Sequence, residues 1–245
     1  YTGVLDWQFA HSKNKCEKKW AYNENLSSRS LSFVEDLLNN AKNIKDLNQQ
    51  GIDTIIKAHQ WGGNSFFSSG WNPRHIEGIE HFFFYNLELK TNKKFIHGQP
   101  VCLGFILGCL LHNKYEERFQ NFFQEIQFDF RPEAMNISWE IVEDTLSTLQ
   151  QFILSSKLWY GIGSEEMNKV VILDKLKSTL CTGDTSTIAA VTLPPASTIS
   201  HPKIGIGNSG SGNNTQCSIS IPLLVIALSI CCLLYTSPSP RDLRA

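Results

Sequence analysis

The sequence predicts an all-α fold, a helical bundle over residues 1–178 followed by a disordered tail, and three observations carry that prediction. Apolar residues recur at helical spacing along most of the first 178 positions. The alternating pattern of strands is nearly absent. After Thr179 the composition turns to Ser, Thr, Gly, Pro and Asn with almost no charge. A hydrophobic content of 42% in 245 residues is enough for a real core.

The elements follow in order. The opening stretch YTGVLDWQFAH is helical in pattern with no cap residue ahead of it, so the sequence reads as starting in mid-element, and a preceding domain is expected. From Ser30, the residues Leu31, Val34, Leu37, Leu38, Ala41, Ile44 and Leu47 make one amphipathic core helix, which Gly51 ends. A second helix is expected over 52–61, stopped by Gly62 and Gly63, with a Gly- and Ser-rich loop to Pro73. A third should cover 76–89. The run 101–111 is apolar on nearly every side, which places it at the bundle centre, where Gly104 and Gly108 admit another helix closely. Helices are further expected over 116–126, from an N-cap at Ser138 to 154, and from Ser164 with Glu165 and Glu166 to about 177.

Beyond the bundle, residues 179–231 read as a disordered or non-homologous tail. The apolar stretch 219–235 is broken by Ser220, Pro222 and Ser229 and is short for a membrane span; a tail anchor or a lipid-anchor signal is conceivable there, but the adapter-like peptide that follows argues against both, and no membrane partner is expected. Residues 232–245 contain CLLYTSPSPRD, which matches the translation of a transposase sequencing adapter, and they are set aside from fold reasoning.

A net charge of -1 gives no extended basic field, which argues against a nucleic-acid partner and for a small soluble substrate. The seven cysteines are irregularly spaced and form no paired C-x-x-C pattern; they read as reduced thiols of a cytoplasmic protein. No signal-peptide pattern follows Tyr1. Homo-oligomer formation stays open.

The chemistry lies in RHIEGIEHFFFYNLELKTNKKFIHG, residues 74–98. A lone histidine near apolar residues is more often a hydrogen-bonded core residue than a ligand. Here His81, Tyr85 and Glu88 share one helix face, and His97 opens the next helix after a basic turn. Two neutral imidazoles from adjacent helices suit a divalent transition metal. A carboxylate ligand is not evident: Asp6, Asp53 and Glu80 read as solvated faces or helix-end charges.

The blocks YTGVLDW, RHIEGIEHFFFYNLE and FIHGQPVCLG, in this order, resemble the helical domain of the superfamily joining glycerol-1-phosphate dehydrogenase, glycerol dehydrogenase, iron-containing alcohol dehydrogenase and 3-dehydroquinate synthase. The resemblance implies the metal-binding half of a two-domain dehydrogenase-like fold over residues 1–178, partnered by a Rossmann-like domain that binds NAD or NADP. It implies zinc or iron held by His81, His97 and an acidic residue ahead of YTGVLDW. Arg74, seven residues before the first histidine, matches an arginine of the branches with anionic substrates, where a guanidinium suits phosphate; on sequence alone it is equally a surface arginine. Tyr85 replaces a second helix histidine and Gln99 replaces the glutamate of a His-Gly-Glu motif. Tyr85 could relay a proton to substrate, although packing beside Phe82, Phe83 and Phe84 accounts for it as well.

The activity so implied is metal-assisted hydride transfer between a small polyol phosphate, of the glycerol-1-phosphate and dihydroxyacetone phosphate type, and NAD(P), with this portion inactive by itself. Two alternatives stand beside it. One is a 3-dehydroquinate-synthase-like cyclase, against which the absence of Gly before and Thr after His81 counts. The other is a non-catalytic helical module that has lost its metal site.

Overall fold

The computed structural model describes residues 1–181. The expectations for a tail over 179–231 and a translated adapter over 232–245 lie almost wholly outside the described residues. All regular structure among those residues is helical: α1 (Thr2–Ser12), α2 (Glu24–Asn39), α3 (Ala41–Lys45), α4 (Gln49–Ser68), α5 (Ile79–Thr91), α6 (Gly98–Leu111), α7 (Glu117–Glu125), α8 (Trp139–Ser155) and α9 (Lys169–Cys181). Short 3-10 turns occupy Lys18–Trp20, Pro132–Met135 and Ile162–Ser164. No helix here is long and apolar enough to cross a membrane.

The core is built on α5 and α6, which lie against each other and are flanked by α8, α9 and α1. Ile79, Phe82, Phe83, Leu87, Leu103, Ile106 and Leu107 are its buried centre, closed from outside by Leu146, Leu149 and Ile153 of α8 and Leu173 and Leu176 of α9. The all-round apolarity of α6 is explained by this surrounding. The two glycines let it approach: a Cβ on Gly104 would sit 2.6 Å from the Glu80 carbonyl oxygen, and one on Gly108 would meet Ile79 and Thr2 at 2.7 and 2.8 Å. A buried side-chain bond fixes the α5 to α8 register, with Asn86 Nδ2 donating to the Thr145 carbonyl at 2.9 Å.

Several boundaries differ from the sequence expectation, among them the helix expected over 76–89, which is Ile79–Thr91, and the last helix, which runs through 179 to Cys181. The helix expected from 30 to 47 begins earlier, because Asn23 accepts from the Leu26 N–H as its cap, and it divides at Asn40 into α2 and α3. Gly51 does not end a helix. It lies in the first turn of α4, capped by Asn48, where an added Cβ would strike the Asn43 carbonyl oxygen at 2.1 Å. Gly62 and Gly63 do not stop α4, whose inward residues Ile55, Ser65 and Phe66 carry it through to Ser68; the chain turns only at Gly70 and Trp71, both with positive φ. Ser164 belongs to a 3-10 turn, and α9 starts after Asn168, whose Oδ1 accepts from the Val171 N–H.

Candidate functional site

α5 begins at Ile79, so His81 stands in its first turn with its ring turned into the bundle. α6 begins at Gly98, which puts His97 at the mouth of the neighbouring helix. Both side chains are buried, and their ring centroids lie 5.6 Å apart, tilted by 48°. The structure thus brings the two imidazoles of the sequence expectation side by side. Phe84 closes on His97 edge-on at 4.5 Å, and the Tyr85 ring stands 6.0 Å from His81.

The electrostatics separate the two rings. Burial and the neighbouring His81 push His97 down to about 3, so it is a neutral imidazole at physiological pH. Burial also works to lower His81, but its hydrogen bond with Glu80 and the charges of Glu77 and Glu80 outweigh that and raise it. His81 Nδ1 lies 2.9 Å from Glu80 Oε1, while Nε2 is buried with no hydrogen-bond partner among the described residues. A buried ring nitrogen without a hydrogen-bond partner is an unusual arrangement unless something else takes that position.

The pair fits a cation. A ring centroid lies roughly 3 Å from a metal bound to its nitrogen, so two such arms span the observed 5.6 Å. Among the described residues, however, no group of three or more His, Cys, Asp or Glu side chains could hold a metal ion. The pair by itself falls short of a complete metal-binding set.

The other candidates are placed as follows. Tyr85 is partly buried, and its hydroxyl is held well above the usual range, first by burial and then by the charges of Glu77 and Glu80 and a hydrogen bond to Glu77. Glu88, on the same helix face, pairs outward with Lys94. Gln99 donates to the Asp129 carbonyl at 3.0 Å and so supports a loop. Arg74 is completely buried: Nη1 donates to the Tyr160 carbonyl at 2.8 Å, and Nε lies 3.6 Å from Glu17.

Two carboxylates assigned by sequence to solvated or helix-end positions are buried instead. Asp6 is 1% exposed and accepts from the backbone of Ile79 and Ile162, and Glu80 is 5% exposed and accepts from Thr2, Gly78 and the His81 ring. Asp53 is partly exposed and accepts from Gln49. Sequence reasoning also passed over Glu77, whose buried carboxylate faces Tyr85 and His81. The usable signal was its place four residues before His81, although α5 starts between them.

No protein-family model matches the chain. Its sequence is glycerol-1-phosphate dehydrogenase-like. It is 28% identical over 146 residues to a protein described as glycerol-1-phosphate dehydrogenase [NAD(P)+] of Thermococcus kodakarensis, covering 60% of this chain and 40% of the relative. Proteins of the same description from Pyrococcus abyssi and Halobacterium salinarum are 32% identical over 111 residues and 31% identical over 116, covering 45% and 47% of this chain and 31% and 32% of theirs. The chain spans about two fifths or less of the curated relatives it matches.

Proposed function

We propose that this chain is the metal-holding helical half of an NAD(P)-linked oxidoreductase acting on a small phosphorylated polyol, of the glycerol-1-phosphate and dihydroxyacetone phosphate type. The observation that carries the reading is the pair of buried imidazoles at His81 and His97, 5.6 Å apart, with His81 Nε2 buried and without a hydrogen-bond partner among the described residues. The similarity to glycerol-1-phosphate dehydrogenases supports the substrate class and the NAD(P) cofactor. The thiols of Cys16, Cys102 and Cys109, none of them in a disulfide, accord with a cytoplasmic setting.

In this reading His81 and His97 hold a zinc or iron ion together with a carboxylate contributed from outside the described residues. The bound ion would supply Lewis acidity toward the substrate oxygen. The reaction removes hydride from the hydroxyl-bearing carbon to NAD(P)+ and a proton from its oxygen, leaving a ketone. The chain's own share is orientation and a dry site. Phe84 and Tyr85 pack against the histidines, and the Tyr85 hydroxyl, kept protonated by burial and by its hydrogen bond to Glu77, would have to leave Glu77 to donate to a substrate oxygen. Arg74 stands in a supporting part, since Nη1 donates to the Tyr160 carbonyl and Nε is paired at 3.6 Å with Glu17, while Nη2 is buried without a hydrogen-bond partner among the described residues.

The test is metal content in the protein expressed from its complete reading frame. Zinc or iron near one per chain is expected, with retention lost in His81→Ala and in His97→Ala; undiminished metal in both variants would remove the assignment. The absence of a third ligand among the described residues favours one second reading, a helical module without a metal. A well-folded protein that takes up neither zinc nor iron would support that module over the enzyme.

A further inference from the structure

We infer that Glu80 is a positioning residue that selects which nitrogen of His81 faces the cation, and that Thr2 fixes Glu80 for that purpose. This rests on the cation reading above and adds to it residues that contact no substrate.

The geometry forms a chain of three links. Thr2 Oγ1, in the first turn of α1, donates to Glu80 Oε2 at 2.5 Å. The other oxygen, Oε1, accepts from the Gly78 N–H at 2.9 Å and lies 2.9 Å from His81 Nδ1. All three side chains or backbones are buried, Thr2 to 1%, Glu80 to 5% and His81 to 2% exposure. The backbone of Glu80 is pinned as well, because α6 approaches it at Gly104, where even one added carbon would lie 2.6 Å from the Glu80 carbonyl oxygen. A carboxylate this constrained accepts, and so the ring proton of a neutral His81 resides on Nδ1. Nε2 is then the nitrogen with a lone pair, and it is the one without a partner.

A surface glutamate before a histidine would have no such need of a threonine from another helix. Burying a carboxylate is costly unless its lone pairs are used. Here Thr2, Gly78 and His81 use them, and the outcome is a ring whose orientation is settled before any ion arrives. Loss of such an outer partner typically weakens metal binding by roughly 10- to 100-fold.

The experiment titrates zinc alone into the metal-free protein, expressed from its complete reading frame, against a chromophoric chelator. Zinc affinity should fall roughly 10- to 100-fold in Glu80→Ala and by less in Thr2→Val, while Glu80→Gln, whose amide oxygen can still accept from Nδ1–H, should recover most of it. In the zinc-loaded wild type with 15N-labelled histidine, the ring spectrum should show His81 protonated at Nδ1 and metallated at Nε2, a readout that needs no variant to fold. Zinc on Nδ1, or wild-type affinity in a folded Glu80→Ala, overturns the inference and leaves the metal site standing. A wild type that binds no zinc overturns the site itself and this inference with it.

Discussion

Asp6 Oδ2 accepts a 2.7 Å hydrogen bond from the backbone N–H of Ile79, joining the middle of α1 to the first residue of α5 across 73 positions of sequence. The other oxygen accepts from the Ile162 N–H at 2.8 Å and lies 3.0 Å from His112 Nε2. A carboxylate at a helix N-terminus satisfies an amide that has no partner within the helix and meets the positive end of its dipole. His81 stands two residues further on, so Asp6 sets the start of the helix that aims it. Asp6→Ala is expected to destabilise the fold by about 3 kcal/mol or more, since two buried amides would lose their acceptor. Urea denaturation of the variant checks this, and wild-type stability would contradict it.

The glycines divide into two groups with opposite expected effects. A Cβ at Gly78 or Gly161 would lie 2.6 Å from Asp6 atoms, and one at Gly104 would press on the Glu80 backbone, so Ala at any of the three should destabilise. Gly62 and Gly63 lie inside α4 with nothing within 4 Å of an added Cβ. Gly62→Ala and Gly63→Ala should each stabilise the protein by up to about 1 kcal/mol, the helix-propensity difference between the two residues. Thermal melts of the two sets should move in opposite directions.

That second group also shows where the sequence was legible. Helices α1, α7 and α8 are legible from their helical pattern, and α6 from a continuous apolar run whose Gly104 and Gly108 spacing implies close approach. Gly62 and Gly63 read as a stop because propensity is local, whereas α4 is held by Ile55 and Phe66 packing inward. His81 and His97 were visible as residue types at a telling spacing. Glu80 was not, because its burial depends on Thr2, 78 positions away, and a carboxylate in a charged segment ordinarily faces water. Ser164 with two glutamates looked like a helix start, but its turn is tied to Asp6 through Ile162.

A pH dependence follows from His75. Its ring is 1% exposed, with Nε2 2.7 Å from Ser65 Oγ and the rings of Trp7 and Trp61 beside it. Burial pushes it down to about 4 from an ordinary 6.5. Between those values the unfolded chain binds a proton that the folded chain does not, so stability should rise with pH across this window. The contribution is complete above 6.5 and is lost as pH falls toward 4, to an extent of about 3 kcal/mol. Urea denaturation at pH 4.5 and 7.5 checks it. The difference between the two pH values should shrink in His75→Gln, and an unchanged difference would assign the effect to other groups.

Arg74 gives the last prediction, because structural support and phosphate binding separate cleanly. Its guanidinium is fully buried, donating to the Tyr160 carbonyl and paired at 3.6 Å with Glu17, so it ties the turn ahead of α5 to the segments on either side. Removing one member of such a pair leaves the other charge and a carbonyl without their partner. Glu17 is 28% exposed and can recover some hydration, which keeps Arg74→Ala near the lower end of the cost of breaking a buried pair, about 3 kcal/mol. Arg74→Lys should recover only part of this, since an ammonium cannot reach both partners with the geometry of a planar fork. If support is the whole role, Arg74→Lys in the protein expressed from its complete reading frame should, on the proposed activity, leave the ratio of KM values for dihydroxyacetone phosphate and unphosphorylated dihydroxyacetone unchanged. If Arg74 also holds the phosphate, KM for the phosphorylated substrate alone should rise, and Glu17→Gln, which releases the guanidinium, should lower it.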